Sequence, residues 1–258
     1  TLTGRADPAT GFLTGKLSGT AAADFTGGLA SGGSFSDGAL RNLSTRGQVG
    51  TGGNVLITGF IVGGTTPKQV LIRAIGPSLT PLGVSGAIAD PQLQVFNGAG
   101  AIIPGASNDN WNAADAAAMN AVGAFALPAG SKDAALIITL APGLYTTQVS
   151  GVGGTTGVAL IEFYDLDNPS PFSSQKVVNV STRGLVGKDD AALIAGFIIS
   201  GNAPKKVLLR AVGGQTLATL AALPTSAVLS DPVLTLRRRQ SDGSTIVVRE
   251  NDDWESGN

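Results

Sequence analysis

Ser44–Ala74 reads STRGQVGTGGNVLITGFIVGGTTPKQVLIRA, and Ser181–Ala211 reads STRGLVGKDDAALIAGFIISGNAPKKVLLRA. Laid over each other without a gap, 18 of the 31 positions are identical, at a constant offset of 137 residues. Self-similarity at a fixed spacing marks a repeat architecture, in which each copy builds one unit and buries its apolar face against a neighbour. The pair therefore points away from one large enzyme fold and toward tandem modules. Inside it, Val55–Ile61 and Gln69–Ala74 are apolar, β-branched runs bounded by Gly, Thr and Pro, as buried strands are. Gly63-Gly64-Thr65-Thr66-Pro67 is the turn between them.

The correspondence continues outward. Asp90-Pro91 opens a strand over Gln92–Asn97, and Asp231-Pro232-Val233-Leu234 matches it. Ser107-Asn108-Asp109-Asn110-Trp111 is matched by Glu250-Asn251-Asp252-Asp253-Trp254. In the first copy Asp133–Leu140, Leu144–Ser150 and Thr156–Asp165 read as further strands, and Ala-rich Asn112–Ala126 is the one good helix candidate. On the last strand Val158, Leu160, Glu162 and Tyr164 fall on one side, and Ala159, Ile161 and Phe163 on the other. Only four residues follow Trp254, so the second module is expected to be cut roughly in half. Ahead of both copies, Leu2-Thr3-Gly4, Leu13-Thr14-Gly15 and Phe25-Thr26-Gly27 recur, and read as a three-stranded meander too small to be stable alone. The expected fold is all-β: tandem jelly-roll-like β-sandwich modules with a small N-terminal β-meander. Residues 1–38 hold the meander and a Gly/Ser linker, 39–168 the first module, and 169–258 the second, truncated after about half.

Composition agrees with short strands joined by many turns: 43% hydrophobic, 5% aromatic and 14% charged residues, with 37 glycines. There is no Cys, so no disulfide, thiol nucleophile or thiolate metal site. There is no His, which removes the commonest general base and transition-metal ligand. Net charge is −1 and the only basic block is Arg237-Arg238-Arg239, so nucleic acid is not an implied partner. Apolar runs such as Ala191–Ile199 are far too short to span a bilayer. The chain begins at Thr1 without Met, as a processed form or a fragment would.

From Asp90 to Asp165 the order is a DP strand, a turn, a strand, SNDNW, a helix-like segment, DAALIITL, APGLYTTQVSG and TTGVALIEFYDL. This resembles the bacterial pre-peptidase C-terminal domain and the related collagen-binding domains of secreted proteases, which are jelly-roll β-sandwiches. It is similar, more closely, to a tandem repeat of very large exported bacterial proteins, in which STRG, GFI and LIRA-GPSL precede the same elements. The resemblance implies an extracellular or cell-surface location. It also implies a non-catalytic role as spacer, adhesion element or self-assembling unit. Its partners would be neighbouring repeats of the same protein. The alternative it implies is a calcium-dependent module that binds an extracellular glycan or matrix protein. The half-module and the N-terminal strands, which would complete it in the next chain, suggest a filament built by strand exchange; the alternative is a cleavage or cloning boundary at residue 258 with further repeats beyond.

Three groups of residues are candidate sites. Asn108, Asp109 and Asn110, with Asn251, Asp252 and Asp253, offer hard oxygen ligands of the kind calcium takes, or else form turns in which Asx side chains bond their own backbone. In the resembled families a similar Asn-Asp loop lies near bound calcium, and no other cofactor is expected. Arg46 and Arg73, repeated as Arg183 and Arg210, lie in or beside apolar runs and need partners if buried; they form either a bidentate clamp for a carboxylate ligand or sugar acid, or structural ion pairs, for which Asp90, Asp109 and Asp231 are the candidate acids. Trp111 and Trp254 either stack on a sugar or plug the end of a sandwich core. The only carboxylate pair near a strand end, Glu162 and Asp165, is three residues apart on one strand and so points to opposite faces, which argues against glycosidase chemistry.

Overall fold

The computed structural model describes residues 12–18, 39–167, 176–188, 191–200 and 204–253. The chain is all-β and sandwich-like. Among the described residues thirteen strands run in order: β1 Phe12–Ser18, β2 Ala39–Val49, β3 Leu56–Gly63, β4 Lys68–Ile75, β5 Pro91–Asn97, β6 Ile102–Asn108, β7 Ala134–Leu140, β8 Gly143–Gly151, β9 Gly157–Asp165, β10 Lys176–Arg183, β11 Leu193–Ser200, β12 Val233–Arg239 and β13 Thr245–Asn251. They form two antiparallel sheets, β13-β12-β1-β11-β2-β9-β4-β7 and β10-β3-β8-β5-β6. Leu56, Phe60 and Val62 of β3, Leu93 and Val95 of β5, and Val149 of β8 face Val70 and Ile72 of β4 and Ile161 and Phe163 of β9 in one buried core. Period-two alternation sends these side chains inward, as on β3, where every second residue from Leu56 is buried.

The two copies do not lie in separate sheets. β2, from the first copy, pairs with β11 of the second, and β10 of the second pairs with β3 of the first. The registers are the same under the repeat offset. Ser44 lies opposite Gly196 and Ser181 opposite Gly59; Leu43 lies opposite Phe197 and Val180 opposite Phe60. Each pairing slips at the same place, skipping Arg41 in one and Val178 in the other. The copies are thus related by a pseudo-twofold axis. Equivalent residues meet across it: Thr45 Oγ1 lies 2.8 Å from Thr182 Oγ1, and Gln48 bridges to Leu185.

This axis explains why STRG and GFI are written twice. A Cβ on Gly47 would lie 2.8 Å from Leu193 Cδ1 and 3.2 Å from Leu56 Cδ1, and one on Gly184 would lie 2.8 Å from Leu56 Cδ1 and 3.4 Å from Leu193 Cδ1. Gly59 leaves room for the Ser181 hydroxyl, which would be 2.9 Å from a Cβ there. The Ser44 hydroxyl, its equivalent, donates to the Gly196 carbonyl at 3.4 Å.

Two elements depart from the sequence reading. Asn112–Ala126 is helical only in part, as a 3₁₀ turn at Ala113–Asp115 and a helix, α1, at Ala116–Ala121. It is not the sole helix: α2 spans Gly214–Ala221, where the first copy has the 3₁₀ turn Pro77–Leu82. Pro77 and Pro81 of the first copy become Gly214 and Ala218 in the second, which restores the N–H groups an α-helix needs. Of the meander read at the N-terminus, Phe12–Ser18 is described, and it is a strand within the large sheet; the Leu2–Gly4 and Phe25–Gly27 segments lie outside the described residues.

The paired glycines give a first test. Gly47→Val and Gly184→Val each overpack the Leu56–Leu193 contact and are expected to cost about 1–3 kcal/mol in urea unfolding. Because both press on the same two leucines, the double variant should lose less than the sum of the two.

Candidate functional site

β1 is the first functional element to account for. It lies between β11 and β12, with Leu17 opposite Leu193 on one side and Leu234 on the other. In the first copy Val149 of β8 lies opposite Leu56 and Leu93, the repeat equivalents of those two leucines. β1 therefore stands in the second copy where β8 stands in the first. The sequence carries the signal: Gly11–Gly19, GFLTGKLSG, matches Gly143–Gly151, GLYTTQVSG, at four of nine positions. The short threefold Leu-Thr-Gly pattern conceals it. By the same axis β12 and β13 take the places of β5 and β6.

The second feature is an unfinished edge. In the large sheet β2 is followed by β9, β4 and β7; in the small sheet β10, the equivalent of β2, is an edge strand among the described residues. Lys205–Ala211 repeats the sequence of β4, yet residues 204–213 form no strand. β4 is held on both sides, by β9 and β7. No described strand pairs with Lys205–Ala211.

On the outer face of β4 and β9 lies a buried polar cluster. Arg73 is fully buried; its Nε donates to Glu162 Oε2 at 2.9 Å and its Nη2 donates to the same oxygen. Arg73 Nη1 donates to the Phe125 carbonyl at 2.7 Å, and the guanidinium sits 4.3 Å from the centre of the Phe125 ring. The Tyr164 hydroxyl donates to Glu162 Oε1 at 2.9 Å. Burial, and then the Glu162 charge, push the Tyr164 phenol well above the ordinary tyrosine value of 10.0. The cluster ties the segment around α1 to the sheet, over Leu71, Ile75, Leu79, Met119 and Leu127.

The candidate ion pairs are thus partnered differently from the expectation. Arg73 pairs with Glu162 rather than with Asp90 or Asp109. Asp90 approaches Lys132, at 3.5 Å. Arg46 is buried on β2 opposite Leu160 and Ile194. Arg183 is half-buried on β10, Arg210 is exposed, and Asp231 is exposed just before β12. Lys68, at the start of β4, is almost fully buried and ion-paired with Asp165 at 2.8 Å, with Asp167 at 3.6 Å. Glu162 and Asp165 do sit on opposite faces, and each neutralises a buried cation.

Sequence reasoning missed Asp133. Its fully buried carboxylate accepts from Gly76 N at 2.8 Å, from Ser78 N at 3.3 Å, and from the hydroxyls of Ser78 and Ser131. It clamps the Gly76-Pro77-Ser78 bend onto the loop before β7. The Asn-Asp loop beside it makes its own turn. Asn108 Nδ2 donates to the Asn110 carbonyl at 2.8 Å, Asn108 Oδ1 accepts from Ala135 N at 3.0 Å, and Asn110 Nδ2 donates to Asp109 Oδ1 at 3.1 Å. Asn251 Nδ2 repeats the first contact with the Asp253 carbonyl, at 2.9 Å, and Asp252 is exposed. Among the described residues no group of three or more acidic side chains could hold a metal ion. Trp111 is half-buried against the α1 cluster, its Nε1 donating to the Pro128 carbonyl at 3.2 Å and Ser131 Oγ at 3.1 Å. Trp254 lies outside the described residues.

The small sheet also carries an open groove of about 470 Å³, lined by Gly59, Phe96, Asn97, Tyr145, Gln148 and Asn179 among others. Among the described residues no helix is long and apolar enough to cross a membrane. No protein family, no curated protein and no solved structure matches the chain.

Two measurements test the cluster. Arg73→Met or Glu162→Gln alone removes one partner of a buried pair and should cost about 3–5 kcal/mol, while the double variant Arg73→Met, Glu162→Leu should recover most of it. Folded Tyr164 keeps its proton where the unfolded residue ionises, so its contribution holds below pH about 10 and is lost as pH rises above it. Urea unfolding from neutral to strongly alkaline pH should show that decline, and Tyr164→Phe should reduce its slope. Tyr145, also pushed up by burial, keeps the remainder.

Proposed function

We propose that the chain is a non-catalytic structural repeat of an extracellular or cell-surface bacterial protein, a jelly-roll-like sandwich whose work is assembly by strand complementation. One observation carries the reading: β1 fills, from outside the second copy, the position that β8 fills within the first. A strand that completes a unit it does not belong to is an exchangeable part. Its ladder hydrogen bonds are the same whether it comes from its own chain or from a neighbour. What differs is the tether. Residues 19–38 link β1 to β2, and a tether of that length holds its strand at an effective concentration of about millimolar. Dilute chains then keep β1 to themselves, whereas crowded or surface-anchored chains trade it and grow head to tail into a filament. The buried charges of Lys68, Arg73, Glu162 and Asp133 hold strands and loops together, which is the use expected of a scaffold.

A second reading, a carbohydrate- or matrix-binding module, draws on the groove of the small sheet. Phe96 offers a ring there, and Asn97, Gln148 and Asn179 offer amides that suit hydroxyl-rich ligands. Calcium at the Asn-Asp loops would belong to this reading.

Light scattering on a size-exclusion column, with negative-stain electron microscopy, tests assembly. We expect monomer at about micromolar and linear oligomers near millimolar concentration. Lys16→Pro removes a ladder donor from a strand paired on both sides and should abolish the oligomers. A chain that stays monomeric throughout, or oligomers indifferent to Lys16→Pro, overturns the proposal.

A further inference from the structure

We infer that the edge of β10 that no described strand covers and the segment Lys205–Ala211 together form an acceptor site for one extended strand. Its occupant is a strand with the chemistry of β9, apolar residues alternating about a central glutamate, supplied by a further copy of this repeat. The inference rests on reading the two copies as one structural unit; it does not need β1 to pass between chains.

The pseudo-twofold axis sets the register. In the first copy β9 lies between β2 and β4, with Glu162 opposite Ser44 on one side and Arg73 on the other. The equivalents of those flanking residues are Ser181 on β10 and Arg210. A β9-type strand laid along β10 in the matching register sets its glutamate between them. It also brings the apolar residue on either side of the glutamate opposite Val180 and Thr182, as Phe163 and Ile161 lie opposite Leu43 and Thr45.

The site is already half assembled. Val207 and Leu209 pack against the buried cluster of Phe197, Ile199 and Leu236, just as Val70 and Ile72 of β4 pack in the main core. The alternate residues point outward. Leu208 is 68% exposed and Arg210 is exposed, whereas their equivalents Leu71 and Arg73 are fully buried. So the inner face of this segment is in place and its neighbouring strand is what it lacks. Among the described residues no carboxylate lies within ion-pair distance of Arg210. Half-buried Lys205 matches Lys68, which holds Asp165 at the end of β9. The acceptor therefore presents two cations, Arg210 and Lys205, spaced for the Glu and Asp of a β9-type strand. An extended apolar segment without those acids would leave Arg210 covered and unpaired, which gives the site its selectivity.

The test uses the full chain and a synthetic peptide of residues 157–167, GVALIEFYDLD, read by hydrogen–deuterium exchange. The peptide should slow exchange at least about tenfold at residues 206–211 and at 179–184, as formation of ladder hydrogen bonds requires. A peptide carrying Glu162→Lys should bind at least about tenfold more weakly to the wild-type chain, because it sets like charges together. The Arg210→Glu chain should reverse that preference, which a merely sticky peptide would not do. Unchanged exchange at 206–211 with the native peptide, or equal binding of both peptides to the wild-type chain, overturns the inference. Residues 193–198, which β1 covers, report separately on β1 in the same experiment, so failure of the β1 reading and failure of this one are distinguishable.

Discussion

Everything in this sandwich hangs on the reciprocal pairing of β2 with β11 and β3 with β10. A strand within a sheet needs two neighbours to satisfy its backbone groups. β2 has β9 from its own copy and β11 from the other; β3 has β8 from its own and β10 from the other. Neither copy can close its sheets alone. Take the second copy away and β2 and β3 become open edges, the templates for aggregation that natural sheets avoid. The repeat is therefore not a bead on a string. It is one half of an interlocked body, and the repeated residues Ser44, Gly47 and Gly59 each meet residues of the other copy.

The second constraint is charge. Arg73 and Lys68 are buried in the first copy because β9 brings Glu162 and Asp165 to them. Arg210 and Lys205 have the same sequence context and no such acids near them among the described residues, and their segment is not a strand. Burying a guanidinium without a partner costs several kcal/mol, more than a few ladder hydrogen bonds return. Closely similar local sequence thus gives a buried strand in one place and an exposed irregular segment in another. Propensity is a weak determinant of strands for this reason: the ladder is made by the neighbour.

Much of the all-β character was legible. The alternation over Gln92–Asn97 and Thr156–Asp165 gave the strands and the inward faces, and the Asx loop after β6 behaves as a turn built from its own side chains. β2 was harder to see, because ALRNLSTRGQV is polar for a strand with neighbours on both sides. Its Ser, Thr and Gly are there to meet residues of the other copy, a contact no local pattern records. Asp133 was missed for a similar reason: a single acid before a strand looks like any turn residue until the Gly76–Ser78 bend arrives to use its oxygens. The helix α2 was readable in principle, from the loss of Pro77 and Pro81 in the second copy.

Most strands of the first copy, their apolar faces and the repetition of the unit follow from periodicity and self-similarity alone, because these are properties of consecutive residues. Which strand lies beside which does not follow. β1 is far from β12 in the chain and adjacent to it in the sheet; β2 meets β11 across an axis that no linear pattern contains. Strand partners are chosen by backbone groups that are the same in every residue, so the choice rests on three-dimensional closure: which arrangement leaves the fewest open edges and no buried charge without its counterion. The folded chain meets both demands around the axis. Along the free edge of β10, one strand place stays open among the described residues.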